Sequence, residues 1–180
     1  MTSYEIVRRA IEFDRPERLP IQMGLLGVDD TCSVGIGVPA GWQPVAPGAD
    51  EWGCIWERPP AGSGIVNMGQ PKGHPLTSIE RMDEITWPDP TDDARYAHIE
   101  KLLEGAADKY VLSGIAFHFF ERMHYLRGMP ALFVDMHERP RLVHELAERV
   151  LEFPIGVARE LGRRFRDRVH GFLTSDDWGT

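Results

Sequence analysis

The stretch Val169-His170-Gly171-Phe172-Leu173-Thr174, followed by Ser175-Asp176-Asp177-Trp178-Gly179-Thr180, decides the fold. Its first half is a short apolar run of the kind that forms a buried strand. Its second half sets two neighbouring carboxylates, a tryptophan and a glycine where that strand ends. Parallel sheets and barrels place their ligand-facing loops at the carboxyl ends of their strands. A strand of such a sheet also needs a covering helix, and the sequence stops before one. The expectation is an α/β chain that forms the amino-terminal part of a larger enzyme.

Outward from that strand, a long helix is predicted from Pro140, a good first-turn residue. Val143, Leu146, Val150, Phe153, Val157, Leu161 and Phe165 line one face of it at three-to-four spacing, and Pro154 should kink it. Before it come predicted helices over 131–137 and 119–127, the latter closed by Gly128, and a strand over 110–115. A helix is predicted over 92–107. At the amino end Ser3 is the expected cap of a helix reaching Phe13, with Ile6, Val7, Ala10 and Ile11 inward. The prolines of Arg15-Pro16-Glu17-Arg18-Leu19-Pro20 end it, and Ile21-Gln22-Met23-Gly24-Leu25 reads as the first main strand.

Residues 28–76 differ in character, being rich in Gly, Pro and Trp without helical periodicity. Within them Asp50-Glu51-Trp52-Gly53-Cys54-Ile55-Trp56-Glu57 and Gly64-Ile65-Val66-Asn67-Met68 read as an antiparallel hairpin insertion. The connections between strands are long enough for parallel α/β architecture, arranged as a single domain over 1–180.

The chain of 180 residues is 42% hydrophobic and 27% charged, which excludes wholesale disorder. A net charge of −8 argues against nucleic acid as a partner. The basic run Arg163, Arg164, Arg166 and Arg168 falls at a predicted helix end, where cations complement the dipole. No run is long and apolar enough for a membrane span, and no signal-type amino terminus is present. Two cysteines, Cys32 and Cys54, show neither a CxxC nor a secreted-scaffold pattern, so a reducing cytoplasm is the expected address.

Asp176 and Asp177 are the leading candidates for chemistry. Adjacent carboxylates repel, so one should hold a proton while the other orients a ligand or meets a cation. The competing reading is a surface Ser-Asp-Asp turn. His118, at a strand-to-helix turn, could act as acid, base or donor, and His124 follows on the helix. Their separation does not stack them on one helix face, so they do not form a helical metal pair. Arg122 and Arg127 either fasten an anion or pair with local acids. Trp42, Trp52, Trp56 and Trp87 read as anchors of loop packing, and no zinc site, P-loop, GxGxxG or GxSxG is present.

Arg15-Pro16-Glu17-Arg18-Leu19-Pro20, Asp50-Glu51-Trp52-Gly53, the run from Gly114 through Leu126-Arg127-Gly128 to Pro140, and Asp176-Asp177-Trp178-Gly179 together resemble the uroporphyrinogen decarboxylase superfamily. The resemblance implies a (β/α)₈ TIM barrel, of which this chain is roughly the first half, since such barrels need about 250 residues. It implies Asp176, Asp177, His118 and His124 as catalytic candidates, with Gln22, Met23, Trp178 and Gly179 against substrate. The decarboxylase branch carries arginine at the end of the first strand, where Pro20-Ile21-Gln22-Met23-Gly24-Leu25-Leu26-Gly27 has none. That branch also carries a tyrosine where His124 stands, and Asp-Ser where Asp176-Asp177 stands.

The corrinoid-dependent methyltransferase branch is the leading expectation. Its members transfer methyl from a corrinoid protein or methylcobamide to a small thiol activated by zinc. The resemblance places the zinc ligands beyond Thr180 and no cofactor within this segment. A homodimer is an assembly it allows. The alternatives are uroporphyrinogen decarboxylase, in porphyrin and haem biosynthesis, and a non-catalytic half barrel that binds a partner through its open sheet edge.

Overall fold

The computed structural model describes residues 1–60, 62 and 69–177. Trp178, Gly179 and the expected strand Gly64-Ile65-Val66-Asn67-Met68 lie outside the described residues. The elements in chain order begin with helix α1 (Ser3–Ile11) and strands β1 (Gln22–Met23), β2 (Val28–Asp29), β3 (Thr31–Val34), β4 (Ile55–Glu57) and β5 (Gln70–Gly73). Helix α2 (Ile99–Glu104), strand β6 (Tyr110–Ala116), helices α3 (Phe120–Arg127), α4 (Met129–Glu138) and α5 (Pro140–Phe165), and strand β7 (Gly171–Ser175) complete it. They form two compact units: Met1–Ala40 with Pro90–Ala116 and Ile155–Thr174, and Gly41–Asp89 with Phe117–Pro154 and Ser175–Thr180.

In the first unit a parallel three-stranded sheet has the order β3-β6-β7. Thr31 pairs with Tyr110 and Val34 with Ser113. On the other side of β6, His170 N–H donates to the Val111 carbonyl at 2.8 Å, and His170 Nδ1 accepts from the Val111 N–H at 2.8 Å. Burial lowers the pKa of this ring, which favours the neutral form that acceptance requires. Gly114 is fixed by close approach, since a Cβ there would lie 1.7 Å from the Leu173 carbonyl oxygen. Ile6, Val7, Val34, Ile99, Leu103, Val111, Val157 and Leu161 are buried in this unit. Each such side chain contributes roughly 1.5–3 kcal/mol.

The amino-terminal details depart from expectation for identifiable reasons. The cap of α1 is Thr2, in a capping box with Glu5, and Ser3 instead donates its hydroxyl to Asp30 at 2.8 Å. Residues 21–25, expected as the first main strand, supply only β1, which pairs antiparallel with β2 across a left-handed Gly27. The sheet begins at Thr31–Val34, inside the region expected to be irregular. Asp30 accounts for this. Its buried carboxylate takes two hydrogen bonds from Arg18 and one from the Ile21 N–H. Residues 18–30 are thereby gathered into a loop, and extended pairing starts only beyond it.

The helix expected over 92–107 is likewise divided into a 3₁₀ turn at Asp93–Arg95 and α2. Asp92 caps the turn through the Ala94 N–H, and the buried Arg95 donates to the Gly37 carbonyl at 3.1 Å. Tertiary satisfaction of a guanidinium overrides helix propensity there.

In the second unit β4 pairs antiparallel with β5, so the described hairpin partner is Gln70–Gly73. A 3₁₀ segment (Ile79–Glu84), α3, α4 and the first part of α5 complete it. Trp52 meets Trp87 and Phe153 edge-on, with centroids 6.1 and 5.5 Å away. Two of the expected tryptophan anchors are thus packed in place. Leu126, Leu132, Leu146 and Val150 are fully buried. Helix α5 continues through Pro154, so the proline removes a hydrogen bond without ending the helix. Among the described residues no helix is long and apolar enough to cross a membrane.

Candidate functional site

The second unit gathers ionisable groups around the start of α3. Phe117, the first residue after β6, has φ 54°, a conformation costly for a bulky side chain. Its N–H donates to the Ser175 carbonyl at 2.7 Å, which holds the turn in place. The side chain of Phe119, at the cap position of α3, makes no capping bond. Asp176 supplies the cap from a distant part of the chain. Its Oδ2 accepts from the Phe120 N–H at 2.7 Å, and its Oδ1 accepts from the Glu121 N–H at 3.0 Å and the Asp177 N–H at 3.0 Å. A carboxylate at a helix amino terminus also gains from the dipole.

Glu121 follows in the first turn, 8% exposed. Tyr125, one turn on, donates its hydroxyl to Glu121 Oε1 at 2.7 Å. Among the described residues Glu121 Oε2 is buried with no partner, and so is His118 Nδ1. Burial raises the Glu121 pKa above its ordinary value, and the charges of Asp177 and Asp176 add to this. Burial and the bond to Glu121 push the Tyr125 phenol up as well.

His124, in the last turn of α3, is half-buried and meets the Tyr125 ring edge-on at 4.4 Å. Burial, and then the neighbouring His74, lower its pKa, which favours the free base at neutral pH. His74 Nδ1 is 2.8 Å from the Tyr125 carbonyl oxygen.

The insertion is fastened to the same helix. Asp50 accepts from the Trp52 and Cys54 N–H groups at 3.0 and 2.9 Å, and from Trp56 Nε1 at 3.0 Å. Its fourth bond is with Arg122 Nη1 at 2.8 Å. The Arg122 guanidinium lies over the rings of Trp52 and Tyr125, 4.9 and 5.4 Å from their centroids. Arg127 pairs with Asp135 at 2.7 Å. Both arginines are therefore committed to local acids, the second of the readings open in the sequence. Burial pushes the Cys54 thiol up to about 12, with Asp50 adding to it, which makes it a poor nucleophile or metal ligand.

Asp176, Asp177, His118 and His124 all fall in this unit, while Gln22 and Met23 lie exposed on the β1–β2 hairpin of the first unit. Sequence reading assigned no role to Glu121 or Tyr125, and named Asp50 only within an expected strand and a family motif. The available signal was Glu121-x-x-x-Tyr125, an acid and a phenol four residues apart among Met123 and Leu126. Among the described residues no group of His, Cys, Asp and Glu side chains fits a metal ion.

The fold and site together define a mixed α/β protein with a carboxyl-rich cluster at one helix amino terminus. Comparison with known protein families, with curated proteins and with solved structures gives no match to this chain.

Proposed function

We propose that this chain belongs to an enzyme of the uroporphyrinogen decarboxylase-like superfamily that moves a methyl group from a corrinoid carrier to a small thiol in the cytoplasm. The observation that carries the proposal is convergence on α3. Asp50, from Asp50-Glu51-Trp52-Gly53, grips Arg122, and Asp176, from Asp176-Asp177, caps Phe120 and Glu121. Separate stretches that carry the family resemblance therefore meet on one helix and serve one site. The barrel is part of the proposal. Its support is that consecutive parallel strands β3, β6 and β7 are neighbours in chain order, as in a barrel.

The charge balance favours methyl transfer over decarboxylation of a polycarboxylate. Asp176 and Asp177 repel anions, and Arg122 and Arg127 are already paired. In the proposed reaction the thiol sulfur attacks the methyl carbon and the cobalt–carbon bond breaks, its electron pair staying on cobalt. His124, favoured as the free base, takes the thiol proton. The described residues do not fit zinc, so zinc enters only through residues outside them.

The test is incubation of the purified full-length protein with methylcobalamin and 2-mercaptoethanol, following loss of methylcobalamin and appearance of the thioether, with zinc measured in the same sample. Thioether formation with bound zinc supports the proposal, and absence of both overturns it. Release of CO₂ from uroporphyrinogen would assign the decarboxylase instead.

A further inference from the structure

Two buried polar atoms without partners among the described residues flank the start of α3, Glu121 Oε2 in its first turn and His118 Nδ1 just before it. Buried polar atoms are normally satisfied, so two orphaned atoms only three residues apart call for a partner beyond the described residues. The surroundings define that partner. Glu121 Oε1 already accepts from the Tyr125 hydroxyl, so a hydrogen carried by this carboxyl sits on Oε2. Arg122, beside it, is turned to Asp50 and does not neutralise it.

We infer that Glu121 is a neutral hydrogen-bond donor of this site, its Oε2–H directed at an acceptor oxygen of an uncharged ligand. The charged groups acting on it are Asp176 and Asp177, beyond β7, and Arg122 on its own helix, with the Tyr125 phenol beside it. The two aspartates favour the protonated form and repel an anionic ligand. An uncharged hydroxyl or carbonyl compound meets no such repulsion and fills the vacant acceptor role. This inference deepens the methyl-transfer reading by assigning the thiol substrate to the uncharged class, and it rests on that reading for its biological setting.

Infrared spectroscopy of the purified protein at neutral pH tests the inference without relying on turnover. A protonated carboxyl band should be present, should move on ¹³C-glutamate labelling and should vanish in Glu121→Gln. Tyr125→Phe should shift it, which secures the assignment if Glu121→Gln does not fold. Addition of 2-mercaptoethanol, a neutral thiol with an acceptor hydroxyl, should shift the wild-type band. Addition of 2-mercaptoethanesulfonate at the same concentration should leave it in place.

In turnover with methylcobalamin the neutral thiol should exceed the sulfonate in kcat/KM by about tenfold, a difference of about 1.4 kcal/mol. A missing band, or a band that neither thiol moves, overturns the inference. A band that shifts with the neutral thiol in a protein with no methyl transfer supports the inference and overturns the functional reading alone.

Discussion

Two buried carboxylates, Asp30 in the first unit and Glu121 in the second, show opposite solutions to the same desolvation problem. Asp30 is 2% exposed and receives hydrogen bonds from Ser3, the Ile21 N–H and both terminal nitrogens of Arg18. Arg18 holds its carboxyl well below the usual range, so it stays ionised. Glu121 is nearly as buried, but among the described residues it has a single donor, and it stands beside two further acids. Asp30 uses its charge to build the fold. Glu121 is pushed toward neutrality, and its free oxygen adds nothing to folding. A buried acid with every lone pair answered is structural, and one with an oxygen left over is where function is sought.

The largest expected effect comes from breaking the structural member. Asp30→Ala leaves Arg18, Ser3 and the Ile21 N–H without their acceptor and should cost about 3 kcal/mol in urea denaturation. The same carboxylate should make the fold acid-sensitive. Its folded pKa is lowered from 3.8, so its contribution is complete above that value and is lost as pH falls toward the folded one. A wild type no more acid-labile than Asp30→Ala would break the contrast.

Asp176 tests whether the leading sequence candidate is structural, functional or both. Asp176→Ala removes the acceptor for the Phe120 and Glu121 N–H groups and should cost about 1–2 kcal/mol, with fraying of α3 read by hydrogen exchange. Asp176→Asn keeps an acceptor for the cap and removes the charge, so it should recover much of that stability. It should also lower the proton affinity of Glu121, seen as a weaker protonated carboxyl band at neutral pH. A band unchanged in Asp176→Asn would show that the Asp176 charge does not set the state of Glu121.

Legibility divides along the same line. The amphipathic face of α5, the Gly128 stop after α3 and the strand over 110–116 were written in local periodicity and turn chemistry. The start of the sheet was not. Nothing local in Ile21-Gln22-Met23 or Thr31-Cys32-Ser33 reveals that Asp30 will bind residues from three separate places and displace the first strand. The candidate site was half legible. Adjacent aspartates past a strand drew attention to Asp176, but its role as a cap for α3 depends on chain folding over more than fifty residues. Glu121 drew no attention, because burial, which makes it unusual, is a property of the packed unit.

A smaller effect is expected from Tyr125→Phe. The substitution keeps the ring against Trp56 and removes the hydroxyl that serves Glu121, for a loss of about 1 kcal/mol. That hydrogen bond is the larger of two contributions, with the Arg122 charge, that oppose the rise in the Glu121 pKa, so its removal should raise the pKa further. Replacing the donor should therefore weaken the fold slightly and leave Glu121 more fully protonated at neutral pH. If the carboxyl instead ionises more readily, the Tyr125 hydroxyl does not favour its charge.

The smallest effect separates the two acids by sign. Glu121 has a folded pKa raised from 4.5, so the folded state binds its proton more tightly than the unfolded chain does. Its contribution is complete below 4.5 and is lost as pH rises through the folded value. This slope is opposite to that of Asp30. Glu121→Gln, neutral at every pH, should remove the decline, so mutant and wild type diverge as pH rises from acid to neutral. Asp30→Asn should instead lie below wild type by a constant amount near neutral pH and converge on it only at the acid end. Paired urea titrations of both variants across that range read the two slopes directly. If the two variants track each other, the carboxylates are equivalent and Glu121 loses its claim to be the exceptional acid of the second unit.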